Sequence, residues 1–141
     1  MTDFALDPRL VDDSYPITEL PLCQLRLMDD ARYAWLVLIP RCEGAVEVFD
    51  MSEEDQQQMW REASRVGQAL KAHQGGDKLN VATLGNMVAQ LHLHVIVRKK
   101  DDDAWPGPVW GQGQAAPYDK SSLATMRDTV LALVSGLKLD K

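Results

Sequence analysis

The stretch that decides the fold is Gln90-Leu91-His92-Leu93-His94-Val95-Ile96-Val97. Polar and apolar residues alternate through most of it, which is the two-residue period of a β-strand. In such a strand Gln90, His92 and His94 emerge on one face, and the apolar residues between them point to the other. Because each buried polar atom needs a partner, this row makes a poor core but a good site for a polar ligand.

Length and charge narrow the possible functions. The chain has 141 residues, of which 45% are hydrophobic, and a formal net charge of −6. This length predicts a single domain over residues 1–141, with a sizeable core. An acidic chain is not expected to bind long nucleic acid, because that binding needs clustered Lys and Arg. No apolar run reaches the length of about 18 residues that a membrane span requires, so no membrane partner is expected.

The cysteines and the N-terminus predict a cytoplasmic protein. The first residues lack the basic start and apolar segment of a secretory signal. Cys23 and Cys42 form no CxxC pair. Ordinary thiols in a reducing compartment are therefore favoured over a disulfide between them.

Three further segments predict strands that accompany residues 90–98. Residues 20–26 follow proline breaks at Pro16 and Pro21, and an Asp-rich turn leads from them into a nearly continuous apolar run at 33–39. Residues 79–83 lead into a Gly-Asn turn before the histidines. We expect the first two segments to form a hairpin, and the last to pair with the histidine strand.

Two segments have the apolar spacing of helices. Ser52 is a good N-cap for a long central helix that ends at Gly75-Gly76, with an inward stripe that Trp60 can widen. A C-terminal helix is predicted at about 121–136. Together these elements predict an α+β domain, in which two helices accompany an antiparallel sheet.

The segment 105–111 carries two tryptophans on a rigid Pro/Gly loop. Large aromatic side chains bury area wherever they can, so packing of Trp105 and Trp110 against the domain or a subunit interface is the favoured interpretation. The alternative is that they wall or cover a ligand pocket.

Two imidazoles on one strand face suit three roles. A zinc site needs a third and usually a fourth ligand, and the candidates His73, Cys23 and Cys42 are scattered, so no metal is predicted. Alternatively, one ring nitrogen can attack a phosphoryl group while an acceptor holds the other nitrogen. The third possibility is a structural pair on a wet strand edge.

Residues 90–96 resemble the signature of the histidine triad (HIT) nucleotide hydrolases and transferases, His-φ-His-φ-His-φ-φ with φ apolar. All four apolar positions match. His92 and His94 correspond to the second and third histidines of the signature, and Gln90 replaces the first.

The resemblance extends upstream of the signature. Asn80 and Gly85-Asn86 resemble the Asn and the Gly-amide loop that precede the triad in family members. The order of hairpin, long helix and paired strands also fits. The likeness covers about residues 20–98, and the tryptophan loop and the C-terminal helix lie outside it.

The resemblance implies a HIT-like antiparallel sheet meander with a long central helix, followed here by the C-terminal helix, and usually paired as a homodimer. It implies hydrolysis or transfer of a nucleoside monophosphate from dinucleoside polyphosphates or nucleoside phosphoramidates, without a cofactor or metal. His92 would become nucleotidylated and His94 would polarise the phosphate. Gln90 would stand in the place of the histidine that helps the leaving group.

Four more residues are implied as nucleotide contacts. Asn80 and Asn86 are candidates for the phosphate, and Asp29 or Asp30 for the ribose. Because glutamine cannot deliver a proton, and general acid catalysis contributes about a hundred- to ten-thousandfold, Gln90 leaves an alternative open. That alternative is a nucleotide-binding or regulatory protein with weak or no catalysis.

Overall fold

The computed structural model describes residues 4–140 and shows one open sheet of five antiparallel strands with three α-helices. The strands, in chain order, are Ser14–Glu19 (β1), Cys23–Met28 (β2), Ala34–Pro40 (β3), Lys78–Ala82 (β4) and Leu93–Arg98 (β5). The helices are Pro8–Asp13 (α1), Glu53–Gln74 (α2) and Lys120–Ser135 (α3). The sheet order β1-β2-β3-β5-β4 places the histidine strand between β3 and β4. The predicted α+β fold is therefore confirmed.

The two faces of β5 serve different purposes because successive side chains point in opposite directions. Leu93, Val95 and Val97 join the larger hydrophobic core, which also contains the buried stripe of α2. His94 and Ile96 lie on the other face, where Ile96 belongs to a smaller aromatic-rich cluster. The sheet thus separates the main core from the face that carries the histidine.

Helix α2 follows its sequence signals closely. The hydroxyl of Ser52 accepts a hydrogen bond from the Asp55 amide, and Gly75 ends the helix in the left-handed conformation at φ 64°. At Gly67 an added Cβ would lie 2.7 Å from a methyl carbon of Leu79, so a larger residue there would require the Leu79 side chain to shift. The predicted inward role of Trp60 is wrong, because its side chain is 47% exposed.

Two expectations about strands are also wrong. Strand β5 begins at Leu93 rather than Gln90. The chain is still outside the sheet at Leu91, whose amide donates to the carbonyl of Ala45. Pro16 does not break the chain but lies inside β1, which is an edge strand with a register irregularity beside it. An edge strand tolerates proline because half of its N–H groups have no partner strand.

Helix α1 is an element that the sequence patterns did not predict. Its six residues are too few to show a helical period. Asp7 caps it by accepting from the Arg9 amide, and Pro8 occupies the first turn. In the segment 4–140, no helix has the length and apolar character needed to cross a membrane. Both cysteines are free thiols, as predicted.

A buried carboxylate ties α2 to the start of β2. Glu62 is fully buried, and its two oxygens accept hydrogen bonds from the amides of Leu22 and Cys23 at 2.8 and 2.9 Å. The side-chain amide of Gln58 donates to the same carboxylate at 2.7 Å and to the carbonyl of Leu139 at 2.6 Å. Glu62 therefore connects the helix, the sheet and the C-terminal segment.

We expect Glu62→Gln to lower the free energy of unfolding by about 2 to 5 kcal/mol, because an amide group would face N–H donors that need an acceptor. Urea denaturation of the purified variant measures this loss. Glu53→Gln, on the exposed first turn of the same helix, is the matched control and is expected to cost less than about 1 kcal/mol. Equal effects of the two substitutions would contradict a structural role for Glu62.

Candidate active site

A cavity of about 390 Å³ opens on the face of the sheet opposite α2, at the amino end of β5. Its lining comes from α1, the adjoining ends of β2 and β3, the loop before β5, the histidines and the tryptophan loop. The lining residues are Leu10, Asp13, Met28, Trp35, residues 84–88, His92, His94 and Trp110. The structure thus brings the two predicted histidines and Asn86 together in one cavity.

The backbone fixes the protonation of His92. Its Nδ1 lies 2.6 Å from the carbonyl oxygen of Gln90. A carbonyl oxygen only accepts hydrogen bonds, so Nδ1 must carry the proton and donate. In the neutral ring, the lone pair is then on Nε2. His92 is 6% exposed, within the cavity wall.

His94 is fixed in the opposite sense by a side chain. The indole Nε1 of Trp35 lies 3.0 Å from Nδ1 of His94. An indole N–H only donates, so Nδ1 of His94 must accept and the proton of the neutral ring lies on Nε2. The rings of His92 and His94 are 5.0 Å apart, at an interplanar angle of 73°. Neighbouring imidazoles thus present a lone pair and an N–H.

Burial keeps His94 neutral. Loss of solvent, with the neighbouring His92 adding to the effect, lowers the pKa of His94 from 6.5 to about 3. At neutral pH the ring therefore acts as an uncharged hydrogen-bond donor.

Trp110 separates this cavity from a second one. Its ring centroid lies 5.1 Å from His94 and 5.7 Å from Trp35, both in edge-to-face geometry. The second cavity, of about 440 Å³, shares Asp13, Met28, Trp35 and Trp110 with the first. Both interpretations of the tryptophan loop therefore apply to Trp110, which packs against the domain and also walls a pocket. Trp105 instead packs against Arg98, whose guanidinium carbon lies 5.6 Å from the centroid of the Trp105 ring.

The predicted aspartates lie in the second cavity, away from the histidines. Asp30 is buried and accepts from Arg32 through both oxygens, at 3.0 and 2.8 Å. Burial by itself would raise the pKa of Asp30, but the hydrogen bonds from Arg32 outweigh it and lower the pKa. Asp29 accepts from the Tyr118 amide at 2.9 Å. Both carboxylates therefore also hold the surrounding loops in place.

Asn80 does not line either of these cavities. Its side-chain oxygen accepts from the buried guanidinium of Arg98 at 2.9 Å. Arg98 also makes a two-point ion pair with Asp102, and those hydrogen bonds lower the pKa of Asp102 to about 2. Asn80 thus belongs to a charged cluster at the far end of β5.

Gln90 is also not among the residues that line the two cavities. Its side-chain oxygen accepts from the amide of Asp7 at 2.8 Å, and its side-chain nitrogen donates to the carbonyl of Ala5 at 2.9 Å. The predicted row of three side chains is therefore a pair, with Gln90 turned towards the N-terminal segment.

Trp35 is the site residue that sequence reasoning missed. It sits in a continuous apolar run, and every residue from Ala34 to Pro40 is buried, so the run gives no alternation that marks one face. The available signal was its indole N–H, because a buried tryptophan usually finds a hydrogen-bond partner.

Comparisons with known proteins identify the family of this chain. The family model of the HIT domain matches residues 9–101. The chain belongs to the HIT family. Members of this family are generally nucleotide-binding hydrolases or transferases. The match begins earlier than the predicted likeness over 20–98 and includes most of α1.

Three solved structures resemble this HIT protein over nearly its whole length. A histidine triad (HIT) protein from Sinorhizobium meliloti is 44% identical, covering 94% of this chain and 98% of its own at a TM-score of 0.91. A histidine triad protein from Bradyrhizobium japonicum is 42% identical, with coverages of 93% and 98% and a TM-score of 0.90. One from Marinobacter aquaeolei is 41% identical, with coverages of 96% and 98% and a TM-score of 0.92. No curated protein matches the chain.

No metal ligand set accompanies the histidines in the described part of the chain. Among residues 4–140, no group of three or more His, Cys, Asp or Glu side chains is arranged to hold a metal ion.

The depressed pKa of His94 predicts how stability depends on pH. Between pH 6.5 and about 3 the unfolded chain binds a proton on this ring and the folded chain does not. Stability is therefore fully present above pH 6.5 and falls with decreasing pH, by up to about 1.4 kcal/mol per pH unit. From pH 7.5 to 5.0 we expect the wild type to lose about 1 to 2 kcal/mol more than His94→Asn, as measured by urea denaturation.

His94→Asn keeps an oxygen that can accept from Trp35, and the other titrating groups are common to both proteins. Identical losses in wild type and variant would show that His94 titrates normally in the folded chain.

Proposed function

We propose that this HIT protein is a hydrolase or nucleotidyl transferase that cleaves at a nucleotide α-phosphate through a covalent nucleotidyl-histidine on His92. The observation that carries the proposal is the pair of opposite tautomers. His92 offers a lone pair at Nε2, and His94 offers an N–H at the same ring position. A nucleophile beside a donor is what attack on a phosphoryl group requires.

The reaction has two steps. Nε2 of His92 attacks the α-phosphorus, a P–N bond forms, and the bond from phosphorus to the leaving group breaks with its electron pair on the leaving group. An amine leaving group also takes up a proton from solvent, because the amide of Gln90 cannot supply one. Water, or another acceptor in a transferase, then displaces the histidine, restores its lone pair and releases a proton to solvent. During both steps the carbonyl of Gln90 stabilises the proton on Nδ1 of His92, and Nε2–H of His94 donates to a non-bridging phosphate oxygen.

The charge around the histidines favours one class of leaving group. Among the described residues, no Lys or Arg lines the histidine cavity, and Arg32 in the second cavity is paired with Asp30. The histidine cavity, where the leaving group would lie, instead contains the carboxylate of Asp13. A polyphosphate chain would be repelled there, whereas an amine would not. We therefore propose nucleoside phosphoramidates ahead of dinucleoside polyphosphates as substrates.

The two cavities suggest where the nucleotide lies. With the α-phosphate at His92 and Asn86, the nucleoside extends past Trp110 into the second cavity, where the Asp29 carboxylate can accept from the ribose hydroxyls. The ring of Trp110 offers the base an apolar contact. A structural neighbour from Sulfolobus tokodaii with the same fold is described as a histidine triad nucleotide-binding protein.

We also propose that the protein acts in the cytoplasm as a homodimer. Strand β4 is an edge of the sheet, and an edge strand offers unpaired backbone groups to another chain. Val81 on β4 is 38% exposed, and Trp60 on the adjoining α2 is 47% exposed. Pairing of β4 with its copy would cover these apolar side chains.

We expect His92→Asn to lower turnover of an adenosine phosphoramidate by at least about three orders of magnitude without unfolding the domain, because it removes the nucleophile. Wild type incubated with substrate labelled in the phosphoryl group should retain acid-labile label on the protein, and the variant should not. His73→Asn changes a histidine outside both cavities and is the control. Label on His92→Asn, or AMP binding by wild type without any label, would overturn the covalent mechanism.

Wild type should elute with twice the mass of one chain in size-exclusion chromatography with light scattering. Trp60→Glu combined with Val81→Glu should give single chains, because charges would be buried at the pairing edge. Leu131→Glu, an equally exposed apolar residue on α3, is the control and should remain paired. A monomeric wild type would contradict the proposed dimer.

A further inference from the structure

The side chain of Gln90 makes a two-point contact with the N-terminal segment. Its oxygen accepts from the Asp7 amide at 2.8 Å and its nitrogen donates to the Ala5 carbonyl at 2.9 Å. A side-chain amide is suited to this contact because it donates and accepts from one planar group. A carboxylate would have no donor for Ala5, and an alkyl side chain would satisfy neither backbone group.

A third hydrogen bond reinforces this contact. Nη1 of Arg9 donates to the carbonyl of Met87 at 2.8 Å. Asp7 also caps α1, so its backbone and side chain link Gln90 to the helix directly. Phe4 and Leu6 pack against the aromatic-rich cluster on the same face of the sheet. The N-terminal segment is therefore held to the loop before β5 by both polar and apolar contacts.

This contact determines part of the cavity wall. Leu10 and Asp13 belong to α1 and line the histidine cavity, and residues 84–88 of the loop line it as well. Gln90 joins these two parts of the wall, although it does not itself line the cavity. In addition, the carbonyl of Gln90 holds Nδ1 of His92. One residue thus sets both a wall of the cavity and the orientation of the neighbouring histidine.

We propose that Gln90 is a positioning residue, which clamps residues 5–13 against the loop 84–90, and that it makes no contact with the leaving group. The inference rests on the proposed function, because the clamp matters for catalysis only if the cavity holds the reaction. It replaces the role that the resemblance implies for this position.

Hydrogen exchange tests the clamp independently of any activity. In Gln90→Met, which has a similar shape and no polar atoms, the Asp7 amide should exchange at least about tenfold faster than in wild type, while the β5 amides keep their protection. Gln90→Glu should show a partial loss, because it keeps an acceptor for Asp7. Unchanged exchange at Asp7 in Gln90→Met would refute the clamp whether or not the protein is an enzyme.

A pair of substitutions at Asp7 connects the clamp to catalysis. Asp7→Pro removes the N–H that Gln90 binds, and proline fits the observed φ of −56°. Asp7→Ala also loses the helix cap but keeps the N–H, so it is the matched control. Gln90→Met and Asp7→Pro should each lower kcat/KM about five- to thirtyfold, with Asp7→Ala less affected. The double variant should lose little more than either single variant, because both break the same contact.

Leaving-group dependence distinguishes a clamp from a leaving-group contact. Adenosine 5′-phosphate esters of p-nitrophenol and of phenol share one nucleotide but differ in leaving-group pKa. If Gln90 is a clamp, Gln90→Met should lower kcat/KM by the same factor for both esters. Gln90→His should not raise kcat/KM for the phenyl ester. A larger loss with phenol, or additive losses in the double variant, would overturn the proposal. The labelling of His92 tests the proposed reaction, and hydrogen exchange at Asp7 tests the clamp. Failure of one proposal can therefore be told apart from failure of the other.

Discussion

The site depends on two hydrogen bonds to histidine Nδ1 atoms, one made by an acceptor and the other by a donor. At His92, Nδ1 meets a backbone carbonyl, and at His94, Nδ1 meets an indole N–H. Each partner permits only one tautomer of the neutral ring, so two chemically equal side chains become unlike. The sheet provides the frame for both, since Trp35 on β3 pairs with β5 and the carbonyl of Gln90 precedes it.

Much of the fold follows from local sequence signals. Ser52 and Gly75 mark the ends of α2 because a hydroxyl cap and a left-handed glycine act within a few residues. Local signals did not predict the backbone path from Gln90 to His92, which lies outside the sheet although polar and apolar residues alternate through it. The amide of Leu91 donates a hydrogen bond to the carbonyl of Ala45, which is distant in sequence, and residues 90–92 therefore lie outside the sheet. The alternation of polar and apolar residues predicts which side chains share a face, but it does not show which segment provides the hydrogen-bond partner of the backbone.

The site was predictable in part for similar reasons. The histidines carry their own pattern, and Asn86 lies in a turn next to them, so all three reach one cavity. Asn80 lies on the same strand pair, but Arg98 engages its side chain, which a spacing argument does not anticipate. The donor to His94 comes from a strand 59 residues earlier in the chain. Contacts of that range become visible only when the strand order is known.

The bond from Trp35 to His94 has a consequence for the movement of protons. An indole N–H is far too weak an acid to give up its hydrogen, so Nδ1 of His94 is blocked on the inner side of the sheet. The ring therefore cannot act as a relay that takes a proton on one nitrogen and releases it from the other. If the histidines carry out the proposed reaction, its protons are therefore exchanged with solvent at the open side of the cavity and not through the sheet.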